Sequence, residues 1–274
     1  MKTLTLGASG MLGSAVFREL QSSDSFTAYG TIRSKENLKY FDKSSHQNIF
    51  YNIYADDLNS IEKIFESIGP DVVINCIGII NKYESSSNPL IVIPVNSIFP
   101  HYLSQLCRKY GARLIQPSTD CIFSGSKGNY NEEDASDCKS LYGKSKYLGE
   151  IHDQDHVITL RTSLIGHELE TKNELLEWFL SQDSSVNGYT DAIFSGLTTQ
   201  EFAHVLSNYV LIRNNLFGLF HLSLNSISKF ELLKMISKFY KKDIRIIKDD
   251  SVKINRSLNS NHFRDSFGYK PPEW

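Results

Sequence analysis

Lys2-Thr3-Leu4-Thr5-Leu6-Gly7-Ala8-Ser9-Gly10-Met11-Leu12-Gly13 opens the chain with a short apolar run, a glycine-bearing turn and the start of an amphipathic segment. The placement between strand and helix is what gives such a run meaning. Gly7 permits the tight turn, Gly10 lets the backbone approach a pyrophosphate, and Gly13 allows helix and strand to lie close together. The free N–H groups at the helix start would then face a diphosphate. The spacing is GxxGxxG rather than GxGxxG, and the bland alternative is a glycine-rich turn with no ligand. The strand–turn–helix context weighs against that alternative. Gly7, Ser9, Gly10, Met11 and Leu12 are therefore the expected dinucleotide contacts.

The same rhythm continues down the chain. Strands are expected over Lys2–Leu6, Ser25–Ile32, Ile49–Ile53, Val72–Ile77, Arg113–Pro117 and Val157–Arg161, and helices over Met11–Gln21, Ile61–Ile68 and Ile98–Tyr110. Short apolar strands alternating with amphipathic helices imply a parallel sheet covered on both faces. After Gly166 the rhythm weakens to helices at Leu175–Leu180, Gln200–Leu211 and Lys229–Tyr240 and short strands at Phe217–Leu222 and Asp243–Ile247. Polar stretches Ser34–Gln47, Tyr83–Asn88 and Ser124–Lys139 read as loops. The expected fold is α/β, a Rossmann-type doubly wound parallel sheet over residues 1–166, with a small C-terminal α/β unit over 167–274, partly interleaved with it.

Composition bounds the function. The 274 residues carry a formal net charge of -2, so no overall basic field draws nucleic acid or an anionic membrane. Cys76, Cys107, Cys121 and Cys138 show neither CxxC nor zinc-finger spacing, which suits reduced thiols and argues against a metal. The N-terminus lacks the shape of a signal peptide, and apolar runs such as Val72–Ile80 are too short to span a bilayer. A cytoplasmic protein without membrane insertion is expected, with a homodimer as the default association.

The end of the second strand bears on the choice of dinucleotide. An acidic residue there would bond the ribose hydroxyls; here the strand runs into Arg33-Ser34-Lys35, and Arg33 can form a bidentate pair with a 2′-phosphate. The alternative is a solvated surface arginine. NADP(H) is favoured, with NAD(H) still open.

Tyr142-Gly143-Lys144-Ser145-Lys146 places a phenol and an ammonium four residues apart, on one face of a helix. Reducing a ketone requires a proton donor for the developing alkoxide, and a nearby ammonium lowers a tyrosine's pKa toward that task. A YxxxK match arises readily by chance among 14 tyrosines, so its position after the fifth strand adds the weight. Pro117-Ser118-Thr119-Asp120-Cys121-Ile122-Phe123-Ser124-Gly125 carries hydroxyls to the carboxyl edge of the sheet, where ligands bind in such folds and where a hydroxyl can hold a carbonyl oxygen.

Together these motifs resemble the extended short-chain dehydrogenase/reductase superfamily, and within it the dTDP-4-dehydrorhamnose reductase-like branch of nucleotide-sugar reductases. The resemblance rests on Gly7–Gly13, Ser118–Gly125, Tyr142–Glu150 and Arg161-Thr162-Ser163, in matching order along nearly the whole chain. It implies NADPH-dependent reduction of the 4-keto group of a nucleotide-linked 4-keto-6-deoxyhexose for surface polysaccharide biosynthesis. Thr119, Tyr142 and Lys146 would be the catalytic triad, with Tyr142 protonating the sugar oxygen and Lys146 also binding the nicotinamide ribose. Asn75, Cys76, Ile77 and Gly78 would line the cofactor, and Asn52 and Ile53 would sit beside adenine. Thr162 and Ser163 would lie near the nicotinamide and the sugar, while Trp178 and Thr198 would help shape the nucleotide-sugar pocket. Cys121 would line that pocket where the branch usually has Tyr, Leu164 stands where an aromatic is common, and Met11 replaces a frequent Gln.

Two alternatives stay open. One is an epimerase or dehydratase of the same superfamily, for which the stretch after Gly166 is short. The other is a non-catalytic, NADP-binding regulatory subunit, which could do without the Tyr142/Lys146 pair. His221 and His101 read as satisfied core histidines rather than acid–base groups.

Overall fold

The structure is a computed structural model and describes residues 1–80 and 84–274. Tyr83, which heads an expected loop, lies outside the described residues. The glycine turn joins β1 (Lys2–Leu6) to α1 (Met11–Gln21), and the chain continues through β2 (Thr27–Thr31), β3 (Ile49–Phe50), α2 (Leu58–Ile68) and β4 (Val72–Asn75). The second half of this layer holds α3 (Pro89–Ile93), α4 (Phe99–Tyr110), β5 (Arg113–Thr119), α5 (Leu141–Leu148) and β6 (Val157–Thr162). All residues of β4 and β6 are buried, as expected for strands covered on both faces.

Beyond β6 come β7 (Leu164–Ile165), α6 (Leu175–Leu180), β8 (Val186–Tyr189), β9 (Ala192–Phe194), β10 (Leu197–Thr198) and α7 (Thr199–Val205). The chain ends through β11 (Gly218–His221), β12 (Ile227–Ser228), α8 (Lys229–Phe239), β13 (Ile246–Asp249), β14 (Ile254–Asn255) and α9 (Asn261–Phe267). The main sheet has seven strands, in the order β11-β6-β5-β4-β1-β2-β3. Every pairing in it is parallel. This is the doubly wound α/β fold, with its reversal of strand order beside β1.

The two faces of the sheet carry separate cores. On one, Val16, Phe17 and Leu20 of α1 meet Phe202 and Val205 of α7 and Phe263 and Phe267 of α9. On the other, Ile61, Ile64 and Phe65 of α2 meet Phe99, Leu103 and Cys107 of α4. The spacing of Ile61, Ile64, Phe65 and Ile68 puts all four on the buried face of α2, and Gly69, with φ of 56°, ends the helix in the left-handed region. A third cluster, including Leu176, Phe179, Phe194, Leu232 and Ile236, is the centre of the smaller unit. That unit is built from β8 paired with β13 and from the β12-β9-β14 sheet. Residues 197–222 and α9 return to the main sheet: β11 extends its edge with Phe220 opposite Leu160, and α9 joins the α1 core.

Several expected boundaries change. The second and third strands are shorter than expected, and the third stops because Asn52 turns the backbone to φ of 61°. The expected loop Ser34–Gln47 is largely two 3-10 turns, Lys35–Tyr40 and Lys43–Asn48. The helix expected at Ile98–Tyr110 begins at Pro89 and passes through a π-helical turn at Pro94–Ile98. Pro89–Tyr110 is thus 22 residues long and apolar enough to cross a membrane by length and composition, which corrects the expectation that no stretch reached that length. Its Phe99, Leu103 and Cys107 face the sheet.

Candidate active site

The glycine turn is built for close approach. Gly7 adopts φ of 77°, and a Cβ at Gly13 would sit 2.1 Å from the Gly7 carbonyl oxygen. The turn is pinned to β2 by Gly7 N–H to Thr31 Oγ1 (3.1 Å) and Ala8 N–H to the Thr31 carbonyl (2.8 Å). Gly10 begins α1 with no side-chain cap, so the first-turn N–H groups of Met11 and Leu12 have no partner in the helix and can take an anionic oxygen. Ser9 is half-buried beside them. Thus the strand–turn–helix fits a dinucleotide diphosphate.

Two strand ends flank this turn. Arg33 is exposed at the end of β2 and makes no hydrogen bond or ion pair with the described residues. Asn52 lies across from it, exposed, while Ile53 is buried and donates its N–H to the Ile32 carbonyl at 3.2 Å. On the other side, Cys76 N–H bonds the Leu6 carbonyl at 3.0 Å, and Ile77 lies against Gly7. Gly78 is exposed next to Asn96. Asn96, which sequence reading missed, accepts from Ile79 N–H at 2.8 Å and donates to Ser145 Oγ at 3.2 Å. It therefore joins the cofactor-side segment to the helix that carries Lys146.

Tyr142 and Lys146 both lie on α5, which Ser140 caps by accepting from Gly143 N–H at 3.1 Å. A Cβ at Gly143 would stand 2.2 Å from the Cys121 carbonyl oxygen, so only glycine lets α5 come this close to the turn after β5. That approach brings Tyr142 to the Thr119 hydroxyl. Burial raises the phenol's pKa above its usual value, the neighbouring Cys121 adds to this, and the Thr119 contact opposes it. Lys146 Nζ donates to the Pro117 carbonyl at 2.8 Å. Burial pulls its pKa down to about 8, against the pull of the Glu150 carboxylate. The expected lowering of the Tyr142 pKa is not the net outcome: burial dominates the phenol, and the Lys146 ammonium donates to Pro117. A phenol kept protonated next to a lysine is an acid able to give up its proton to a developing alkoxide.

The cysteines here are not nucleophiles. Burial pushes both Cys76 and Cys121 up to about 12. Thr119 Oγ1 accepts from Cys121 N–H at 3.1 Å and donates to Asp120 Oδ1 at 3.3 Å. Thr162 is buried at the end of β6 and donates to the Ser163 carbonyl at 3.2 Å; Ser163 is half-buried. Trp178 is half-buried against the smaller unit's core. Thr198 is exposed and caps α7 by accepting from Glu201 N–H at 3.0 Å. Two surface hollows of about 450 and 440 Å³ have none of Thr119, Tyr142 or Lys146 in their walls.

A buried polar network stands behind the site. Glu150 Oε1 accepts from Ser118 Oγ (2.6 Å) and Arg161 Nε (2.9 Å), and Oε2 accepts from Arg161 Nη2 (2.8 Å). Arg161 Nη1 lies 3.2 Å from His221 Nε2, and His221 Nδ1 lies 3.1 Å from the Tyr130 carbonyl. Burial and Arg161 hold His221 down at about 3, so it is the satisfied core histidine expected. His101 is not: its ring is exposed and bonds the Leu148 carbonyl at 2.8 Å, because the α4 face that carries it looks outward. Sequence reading also missed Arg256, whose Nε donates to the Phe123 carbonyl at 2.8 Å and whose Nη1 reaches Cys121 Sγ at 3.7 Å. No spacing rule connects residues so far apart in the chain.

Comparison with known proteins agrees with this fold. A family model described as the RmlD substrate binding domain matches residues 1–274. A dTDP-4-dehydrorhamnose reductase of Streptomyces griseus is 40% identical over 82 residues, 30% of this chain and 27% of its own. The methionine adenosyltransferase 2 subunit beta of Xenopus tropicalis is 25% identical over 177 residues, 63% of this chain and 49% of its own. The matches thus span less than half the length of these two curated relatives. A crystal structure of dTDP-4-dehydrorhamnose reductase from Bacillus anthracis in complex with NADP superposes with a TM-score of 0.77 at 20% identity, covering 97% of this chain and 92% of that one.

Proposed function

The chain belongs to the RmlD substrate binding domain family, and from that premise we propose that it reduces the 4-keto group of a nucleotide-linked 4-keto-6-deoxyhexose with NADPH, toward surface polysaccharide. The observation that carries this reading is the meeting of Thr119, Tyr142 and Lys146 at the carboxyl edge of the sheet, next to the α1 cradle. A nicotinamide held by the α1 cradle would supply the hydride for the carbonyl carbon. Tyr142 gives its phenolic proton to the carbonyl oxygen, so the ketone becomes an alcohol and the tyrosine a phenolate. Lys146 stabilises that phenolate once its ammonium turns from Pro117. Thr119 exchanges its long bond to Asp120 for one to the same oxygen, holding the developing charge in a dry site.

Arg33 supports NADPH over NADH, since a guanidinium with no partner among the described residues suits a 2′-phosphate. In this reading residues 1–166 hold the dinucleotide and 167–274 the sugar nucleotide, with β11, α7 and α9 lent back to the first layer. The enzyme works in the cytoplasm, as a homodimer by default. The experiment is to follow NADPH and NADH oxidation with dTDP-, UDP-, GDP- and CDP-linked 4-keto-6-deoxysugars. Turnover with one of them is expected; none with any would end the reading.

The likeness to a methionine adenosyltransferase subunit favours a second reading, a regulatory subunit that binds the dinucleotide without chemistry. Tyr142→Phe separates the two. The reductase loses about a hundred- to ten-thousandfold in turnover while keeping its NADPH affinity, because only the acid is removed. A variant with unchanged turnover would remove Tyr142 from the mechanism.

A further inference from the structure

The smaller unit carries a charge pattern that the total charge of the chain hides. The formal net charge is -2, yet residues 234–248 hold Lys234, Lys238, Lys241, Lys242, Arg245 and Lys248 against a single acid, Asp243. All of these cations are exposed except Lys242, which is half-buried and donates to the Leu180 carbonyl at 2.7 Å. They come from α8 and β13, which lie side by side: Lys234 of α8 and Lys248 of β13 both stand over the ring of Phe230, each 5.3 Å from its centroid.

Helical spacing sets what α8 shows to solvent. Phe230, Leu232, Leu233 and Ile236 are its buried residues, so Lys234, Met235, Lys238 and Phe239 are left on the outward face, three or four positions apart. Met235 is exposed and Phe239 is 78% exposed. Just past the helix, Lys241 takes φ of 53°, a left-handed position usually given to glycine or asparagine. Backbone bonds hold it there, from Lys241 N–H to the Lys238 carbonyl at 3.3 Å and from Lys242 N–H to the Ser237 carbonyl at 2.9 Å.

The neighbouring acids do not neutralise this face. Glu231 pairs with Lys234 at 3.1 Å, and Asp183 stands 3.9 Å from Lys242. Glu177 is taken by His167 at 2.6 Å, and Asp249 accepts from Ser251 N–H and Asn187 Nδ2, both at 2.9 Å. Among the described residues Lys238, Lys241, Arg245 and Lys248 form no salt bridge, and exposed Asp243 and Asp250 are the acids left to set against them. The face is also apart from the reacting centre. Lys229, whose charge acts on Asp120, begins α8, and Phe239 ends it about 15 Å further along the axis.

Unpaired lysines around a protruding phenylalanine and methionine fit a surface that offers anions in a plane with hydrocarbon beneath. Lysine stems are long enough for the ammoniums to stay at phosphate level while the ring goes deeper. Nucleic acid fits less well: one cation of the cluster is an arginine fork, and Met235 offers no plane for a base to stack on. We propose that this face of the smaller unit docks on an anionic lipid surface, with Phe239 and Met235 at the acyl boundary and the lysines at the headgroup phosphates. The docking is peripheral, since α8 has 11 residues and is too short to span a bilayer. It does not depend on which sugar the protein reduces.

The test sediments the full chain with sucrose-loaded vesicles of phosphatidylglycerol and phosphatidylcholine in equal parts, and of phosphatidylcholine alone, at low and at physiological salt. Binding to the anionic vesicles is expected at low salt, weaker at the higher salt and absent on the neutral vesicles. Lys238→Gln/Lys241→Gln should weaken binding about 25-fold, about fivefold for each charge removed, and Phe239→Ala about tenfold. The substituted side chains are exposed, so both variants should keep the wild-type Tm and NADPH affinity, and a loss then reports the surface rather than folding. Equal binding to neutral and anionic vesicles, or binding by either variant within about threefold of wild type, would overturn the proposal. So would wild type that leaves the anionic vesicles untouched at low salt; capture on polyuridylic acid in that case would give the face to nucleic acid instead.

Discussion

Glu150→Gln is the perturbation that asks most of the structure. The carboxylate and Arg161 have side chains only 1% and 3% exposed, joined by two bonds, with Ser118 as a third partner. Glutamine keeps the shape, so no cavity opens. It removes the charge, leaves Arg161 a buried cation without a counterion, and turns one bond into a clash of N–H donors. Breaking such a pair by neutralising one partner costs about 3–5 kcal/mol. For 274 residues, an unfolding entropy of about 2.1 cal/mol/K per residue gives roughly 0.6 kcal/mol/K, and hence a fall in Tm of about 5–9 °C. Differential scanning calorimetry reads it directly. Activity should fall about tenfold as well, because Ser118 adjoins Thr119 and Glu150 closes the helix that carries Tyr142. The double variant Glu150→Met/Arg161→Met should recover much of the stability, since apolar replacement of a whole buried pair is often close to neutral. A drop in Tm below 2 °C for the single variant, or a double variant as unstable as the two single losses added, would refute this account of the network.

Two other outcomes follow from the site. Lys146 loses its proton at about 8, so kcat for ketone reduction should fall as pH rises through that value, to about a tenth at pH 9; a flat profile to pH 10 would separate Lys146 from the chemistry. Its effect on stability has the opposite sign: between about 8 and 10.5 the unfolded chain holds a proton that the folded chain has released, so stability from this group increases with pH. Arg33→Ala should raise KM for NADPH about tenfold and leave KM for NADH unchanged, as read by initial rates with each dinucleotide; equal changes would mean that Arg33 does not read the 2′-phosphate.

What the sequence made legible was local. The turn at Gly7–Gly13, the amphipathic face of α2 and the Tyr142/Lys146 pair each sit within a few residues, where periodicity and glycine chemistry act directly. The sign of the Tyr142 shift was not legible, because burial is a property of the folded site and the position of the Lys146 ammonium depends on Pro117, 29 residues away. Asn96 and Arg256 were missed for the same reason: Asn96 acts on Ser145 from 49 positions away, and Arg256 on Cys121 from 135. The early start of the helix was missed, although Pro89 stands in its first turn, where proline is well tolerated.

The return of β11 to the main sheet has a consequence for how the molecule holds its site. Without β11, β6 would be an open edge with the backbone groups beside Ile158 and Leu160 unpaired, an unfavourable end for an apolar strand. With it, His221 at the end of β11 takes a bond from Arg161, and its N–H bonds Glu132 at 2.7 Å in the loop after β5. Ser223, just beyond, accepts Ser260 and Arg264 at its carbonyl, and its hydroxyl bonds the Leu258 carbonyl, two residues from Arg256. A continuous path of buried bonds therefore runs from the helix of Tyr142 and Lys146, through Glu150, Arg161 and His221, to the segment that presents Arg256. The part of the chain that would grip the sugar nucleotide is thus anchored in the same core as the acid that would act on it. The distance between grip and proton donor is set by packed side chains rather than by a flexible linker, as positioning of a substrate for hydride transfer requires.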